Sequence, residues 1–262
     1  MRYLFGFLCA CALGVVPLVG CSETAGDGGS GGTAGSGGVG GDGGSGGTAG
    51  SGGVGGTNGE PVLLTVFMTS FEPPMLPEAV EGMRICELAT ANCAVTDEVG
   101  LATLEVSAGQ EIALSMEKEG FASYIYTYVV PADGGTMLLG NATDARFEEM
   151  FGLVMSPYPM EGTGGVWVSG SPEGAVLTLL NGTGKPFYAE DDVKWTWSLD
   201  LTAATANGGG GFVEVPAGEY QVEVTGTSEN CFPVRGWPGD SENTVRMPVR
   251  EGYFSSARNS CN

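Results

Sequence analysis

Histidine is absent from all 262 residues of the chain. That removes the commonest general base and metal ligand near neutral pH. Ser-His-Asp and Cys-His catalysis go with it, as does any zinc site built on His. Only carboxylate or lysine chemistry would remain for an enzyme. Cations are scarce as well: Lys and Arg number 10 against 31 Asp and Glu, a formal net charge of −21. Binding nucleic acid requires Lys and Arg to displace counterions from phosphates, so this surface repels such a partner. Long apolar runs are also missing. The run from Leu4 to Val16 has 13 residues, too short for a helix across a bilayer core of about 30 Å.

Glycine, by contrast, is abundant: 47 residues, 20 of them within residues 22–59. Residues 27–41 recur without change as residues 42–56. A 15-residue repeat with no aromatic and one Val per copy cannot bury enough apolar surface to offset its ordering entropy. It reads as a disordered tether with a root-mean-square span of about 35 Å and an extended reach of ~130 Å. The Gly28-Gly29-Ser30-Gly31-Gly32 segment formally matches a nucleophile elbow, but no strand, helix or His accompanies it. The folding material is therefore residues 60–262. There, nine cations face 28 acids, a net charge of −19.

The N-terminus has the layout of an export signal: Arg2, then the 13-residue apolar run, then Leu18-Val19-Gly20-Cys21. This end resembles the bacterial lipobox, in which a cysteine after small residues is lipidated and becomes the mature N-terminus. The resemblance implies a signal peptide over residues 1–20 and lipidation at Cys21. Several acyl chains on one residue suffice for stable anchoring without a membrane span. Ser22 at the next position resembles lipoproteins sent to the outer membrane, on its periplasmic face or the cell surface.

Cysteine counting agrees with export. Setting aside Cys9, Cys11 and Cys21 leaves Cys86, Cys93, Cys231 and Cys261, an even number. In an exported chain that reads as disulfides. Neither close pair has the C-x₂₋₄-C spacing of a zinc site. Of three connectivities, the local one, Cys86–Cys93 with Cys231–Cys261, keeps each bridge within one half of the folded part.

Those halves correspond to each other. Thr96, Gly100, Glu105, Val106, Ala108 and Gly109 match Thr205, Gly209, Glu214, Val215, Ala217 and Gly218 at a constant offset of 109. Strands are expected at 62–67, 82–86, 101–106, 112–116 and 124–130 in the first half. The second half should carry them at 166–168, 175–180, 193–201, 212–215, 220–224 and 244–249. The alternation after the second turn is shifted by one residue, which predicts a bulge or a turn of different length. Between the halves, Asp144 can cap a helix bearing Phe147, Met150, Phe151 and Val154 at i, i+3, i+4 and i+7, ended by Pro157. The expected fold is all-β: two small antiparallel β-sandwich modules, 60–141 and 161–262, joined by a helical connector, 142–160. The connector's apolar stripe is expected on a sandwich edge. The lipidated N-terminus and Gly-rich linker, 21–59, precede them.

The second half carries a Thr, a Gly-containing turn, a strand, and then Val215-Pro216-Ala217-Gly218-Glu219-Tyr220-Gln221-Val222-Glu223-Val224. With the earlier strand at Ala175 to Leu179, this resembles the carboxypeptidase regulatory-like module. That resemblance implies a prealbumin-like seven-stranded β-sandwich accompanying other domains in secreted and surface proteins. The first half departs from it, with Ser107 in place of Pro216 and Glu111 opposite Tyr220. The zinc carboxypeptidase activity in the family's name is excluded by the missing His.

The remaining chemistry-bearing groups have plain structural readings. Glu190-Asp191-Asp192, Asp97-Glu98 and Glu148-Glu149 are acidic runs that suit solvated loops, and no calcium-loop pattern accompanies them. Trp195 and Trp197 alternate on one strand face, as do Tyr124, Tyr126 and Tyr128, and alternation of this kind usually marks core. With Trp167, Trp237 and Tyr188, the tryptophans would form a sugar-stacking platform only if exposed. The sequence thus points to a non-catalytic, membrane-anchored surface lipoprotein without cofactor, binding an envelope protein or glycan and no nucleic acid. The alternatives are a carboxylate-based glycan hydrolase, with two acids across a cleft, and a calcium-dependent binding protein.

Overall fold

Alternating burial explains most of the strands. In the computed structural model, which describes residues 59–71, 77–191, 196–206 and 208–262, Ala102, Leu104 and Val106 turn inward while Leu101, Thr103 and Glu105 face water. The leader, Cys21 and the glycine repeat lie outside the described residues.

Eighteen strands and one helix are present among the described residues. The first half contains β1 (Pro61–Ser70), β2 (Glu78–Ala79), β3 (Arg84–Glu87), β4 (Cys93–Val95), β5 (Leu101–Ser107), β6 (Glu111–Glu117), β7 (Tyr124–Val129) and β8 (Gly135–Asn141). Helix α1 (Asp144–Leu153) follows. The second half contains β9 (Thr163–Ser169), β10 (Val176–Leu180), β11 (Lys185–Asp191), β12 (Thr196–Ser198), β13 (Gly209–Pro216) and β14 (Gly218–Thr225). It ends with β15 (Cys231–Arg235), β16 (Trp237–Pro238), β17 (Thr244–Val249) and β18 (Phe254–Cys261). The class is all-β, as expected.

Three sheets result. A four-stranded sheet has β8 on one edge of β1, with β2 and β5 on the other. A second has the order β10-β14-β17-β16. The third holds ten strands, ordered β12-β11-β13-β9-β18-β7-β6-β3-β4, with β15 also on β18. Pairing is antiparallel except for β1 with β8 and for β18 with both β7 and β9. Strand β18 therefore joins the two halves: the long sheet runs unbroken from one into the other. Side-chain contacts reinforce the join. Trp237 Nε1 donates to the Ile112 carbonyl at 2.9 Å, Arg246 pairs with both Glu111 and Glu219, and the Tyr253 hydroxyl bonds Glu117.

The matched strands occupy different sheets, β5 a four-stranded one and β13 the ten-stranded one. In each half, the strand after the matched Thr lies in a different sheet from the strand after the Ala-Gly turn: β5 and β6 differ, as do β13 and β14. Both threonines fasten a neighbouring segment, Thr96 Oγ1 donating to Val80 O at 2.6 Å and Thr205 Oγ1 to Ala189 O at 2.8 Å. The one-residue phase shift lies in the turn: Val106 and Ile112 share one core six residues apart, Val215 and Val222 share another seven apart, and three residues separate β5 from β6 where one separates β13 from β14. A bulge between Phe212 and Val215 opposite β9, where Glu214 takes a positive φ of 59°, is a separate irregularity that turns Val213 and Val215 to opposite faces.

Both faces of the long sheet are covered. Val166, Val168, Tyr188, Phe212, Val215 and Ala257 pack against the β10-β14-β17 sheet in one core. Their alternating neighbours Trp167, Phe187, Val213 and Phe254 turn the other way, into the core that also holds Leu64, Leu114 and Tyr124. Helix α1 belongs to this second group: Phe147, Met150, Phe151 and Val154 are fully buried, with Phe147 edge-on to Trp197 and Phe254. The stripe thus covers a sheet face deep in the core, which corrects its expected place on an edge. Thr143 is the N-cap, accepting from the Arg146 N–H, while Asp144 occupies the first turn and accepts from the Tyr158 hydroxyl.

Candidate functional site

Alternation along five strands places one set of side chains on the same face of the long sheet, beside α1. Tyr124 and Tyr126 come from β7, Trp167 and Ser169 from β9, and Ala189 from β11. Trp197 comes from β12, and Ser256 and Arg258 from β18. With Thr69, Phe71, Leu138, Gly140, Gly170 and Arg235 they surround a cavity of about 590 Å³. That volume is within the range of small-molecule sites. Its walls run from buried aromatics to exposed cation: Trp197 is 3% exposed, Trp167 8% and Tyr124 2%, whereas Arg258 is exposed and Arg235 half-buried.

Two glycines make the aromatic wall possible. A Cβ on Gly209 would lie 2.4 Å from the Trp167 ring, and one on Gly140 would lie 2.4 Å from Phe71. The rings then stack among themselves. Tyr124 and Tyr126 have centroids 5.3 Å apart at 17°, and Trp167 and Trp197 lie 6.1 Å apart at 19°. Offset stacking of this kind fixes ring positions before any ligand arrives.

The polar groups are donors. Arg235 gives one hydrogen bond to Leu138 O at 3.3 Å and lies 5.3 Å over the Tyr126 ring. Arg258 is its register partner across β15 and β18. Neither guanidinium forms an ion pair with a carboxylate among the described residues; the ion pairs there use Arg84, Arg146 and Arg246. Trp197 Nε1 is buried without a hydrogen-bond partner. Among the described residues no Asp or Glu lines the cavity. The hydroxyls nearby are engaged: Thr69 donates to Leu139 O at 3.3 Å and Ser169 to Ala257 O at 3.4 Å. Burial raises the Tyr124 and Tyr126 hydroxyls above their ordinary pKa, with Arg235 opposing it in both. They are neutral near pH 7.

The sequence-predicted residues are placed as follows. Cys86 bridges Cys93 and Cys231 bridges Cys261, as expected. The second bridge ties β15 to β18, the two strands carrying Arg235 and Arg258. Cys21 lies outside the described residues, as do Asp192 and Trp195. Trp237 is half-buried, with its ring under Arg246. Tyr188 packs in the opposite core and donates no charge to the cavity, its hydroxyl bonding the Leu177 N–H at 2.9 Å. Asp97 closes its own turn by accepting from Val99 and Leu101 N–H, and Glu149 pairs with Arg146. Among the described residues no three His, Cys, Asp or Glu side chains gather as a metal site. Arg235, Arg258 and Ser256 were not singled out by sequence: Ser256 and Arg258 sit in a polar stretch, and Arg235 stands between Pro- and Gly-containing segments, with no periodic signal in either.

No family model matches the sequence, and no curated protein does. Solved structures overlay weakly. The Bacillus anthracis TIE protein gives a TM-score of 0.26 at 11% identity, covering 77% of this chain, and this chain spans 34% of that one. The minor pilin GBS52 of Streptococcus agalactiae gives 0.22 at 10%, covering 77% of this chain and 96% of that one. The shaft pilin SpaA of Lactobacillus rhamnosus GG gives 0.25 at 10%, covering 77% and 98%. Nothing about what this chain binds follows from them.

Proposed function

We propose that this is an exported, non-catalytic lipoprotein, held to a membrane through Cys21, whose folded part binds a component of the cell envelope. The observation that carries the reading is the cavity itself: aromatic walls and, among the described residues, two arginines without carboxylate partners and no carboxylate in the lining. Binding needs shape and a few aimed polar groups, which are present. Hydrolysis of a glycan needs two carboxyl groups facing the bond, and the described residues of the cavity lining supply none. Among the described residues its hydroxyls have no neighbouring base, and its tyrosines hold their protons. A tether reaching ~130 Å suits a protein that must meet its partner at a distance from the membrane.

The test pairs capture with turnover. The immobilised full-length protein is incubated with solubilised envelope material, and the same protein is assayed on glycan and peptide substrates. A retained component that is recovered unaltered is the expected result. Turnover abolished by a single carboxylate substitution would establish an enzyme instead, and retention of nothing would leave a structural spacer.

A further inference from the structure

A second, open groove shares the arginine pair with the cavity. Its volume is about 410 Å³, and Tyr128, Thr136, Leu138, Val234, Arg235 and Arg258 border it. Unlike the enclosed rings, these groups reach solvent. Leu138 is 63% and Val234 48% exposed; Thr136 and Arg258 are exposed, and Tyr128 and Arg235 half-buried. The folded part has 28 acids for nine cations, yet Arg235 and Arg258 pair with no carboxylate among the described residues. They stand opposite each other in register instead, and no described Asp or Glu lines the groove. One wall is strand β8, an edge strand whose ladder partner among the described residues is β1 alone. Leu138 O and Gly140 O bond away from β1, to Arg235 at 3.3 Å and to the Tyr126 hydroxyl at 2.7 Å. Backbone groups alternate in direction along a strand. Thr136 and Leu138 therefore also turn their N–H groups toward the groove.

We propose that this groove takes the C-terminal end of an apolar peptide segment, laid along β8 with its terminal carboxylate on the two guanidiniums. The inference rests on the binding function above and names the partner's chemistry. A guanidinium presents parallel N–H donors that match the two oxygens of one carboxylate. A strand edge offers main-chain hydrogen bonds to an extended peptide, and Leu138 and Val234 offer contact to its apolar side chains. Charge sets the remaining limits. Repulsion from acids elsewhere on the surface is screened beyond about 8 Å at physiological salt, so one carboxylate can reach the pair. Burial and then Asp133 raise the Tyr128 hydroxyl, so a second negative charge on the ligand would meet Asp133 as well. The groove thus favours a single carboxylate at a chain end over a polyanion. A fatty acid carries the charge but has nothing to pair with β8.

The probe is the peptide Lys-Gly-Thr-Val-Val-Leu, labelled with rhodamine at its N-terminus and titrated with the full-length protein by fluorescence anisotropy, once as the free acid and once as the C-terminal amide. The amide is the more positive of the two, so general attraction to a chain of net charge −21 favours it. Capture of the carboxylate reverses that order. The free acid should bind at least about tenfold more tightly, the worth of one charge-assisted pair. Arg258→Ala should remove the difference with the circular dichroism spectrum unchanged. Thr136→Pro, which deletes an N–H facing the groove and no ladder bond to β1, should weaken the free acid by about fivefold with the urea midpoint kept, an order-of-magnitude value for one neutral hydrogen bond. Equal or tighter binding of the amide, unchanged affinity in either variant, displacement by octanoate or inorganic phosphate at the peptide's own concentration, or no binding of the free acid would overturn the proposal. If envelope capture by Arg258→Ala matched that of the unsubstituted protein, the partner class would be wrong while the binding function stood.

Discussion

Arg235 and Arg258 face each other across the β15–β18 ladder with no carboxylate paired to either among the described residues. Opposite charges in that register stabilise and like charges do the reverse, each by roughly 0.2–1 kcal/mol. Arg258→Glu should therefore raise the urea midpoint slightly while removing ligand binding. Such a trade of stability for activity is expected where a site has been kept unrelieved for function. A lower midpoint in Arg258→Glu would mean the arginine is structural.

The disulfides should differ in weight. Their loops close over sequence separations of 7 and 30 residues, which corresponds to about 2.5 and about 3.7 kcal/mol by loop entropy. Replacing Cys231 and Cys261 by Ala should cost more in chemical unfolding than replacing Cys86 and Cys93. It should also loosen β15 and with it Arg235. A non-reducing peptide map should link the cysteines in the same two pairs; a crossed link would contradict the fold.

Cys21→Ser should release the chain from membranes without changing its unfolding curve, because the anchor precedes the tether and the folded part. Sedimentation with membranes after a carbonate wash, persisting in the variant, would show that the chain is held some other way.

Alkaline pH should unfold the protein through its tyrosines. Tyr253 is pushed up to about 12, by burial first and then by its bond to Glu117. Burial also raises Tyr124, Tyr126 and Tyr158, the last helped by Asp144. An unfolded tyrosine loses its proton near pH 10. Above that pH the native state holds more protons than the unfolded state, so stability falls as pH rises. Below it the contribution is fully present. Urea midpoints should be level from pH 8 to 9 and then decline through pH 12, and Tyr253→Phe should decline less. A level curve to pH 12 would show that these hydroxyls are already hydrated in the folded protein.

Most of the framework was legible in the chain, and the reason is local. Strands such as β5 and β17 alternate apolar with polar residues, and a half-buried strand needs nothing else. Helix α1 announced itself by the spacing of Phe147, Met150, Phe151 and Val154. Strand β18 did not. Its sequence, Phe254-Ser255-Ser256-Ala257-Arg258-Asn259-Ser260-Cys261, reads as a polar loop, yet it lies at the centre of the ten-stranded sheet with Ser255, Ser256 and Asn259 buried. Two buried polar side chains find partners that only the fold supplies, Ser255 donating to Pro248 O and Ser256 bonding Tyr126. The cavity was hidden for the same reason. Its walls are drawn from strands spread between Thr69 and Arg258, and parallel pairing of β18 with β7 and β9 brings them together. The tryptophans were half legible: Trp197 is a core residue as its alternation with Trp195 implied, and with Trp167 it also borders the cavity.

Hydrogen–deuterium exchange of the full-length protein, with and without the envelope component it retains, tests the central claim most directly. Binding in the cavity should slow exchange in β15 and in residues 254–258 of β18, leave β10 and β14 unchanged, and leave the retained component chemically intact. Protection confined to the opposite sheet, or a component recovered as cleaved product, would contradict it.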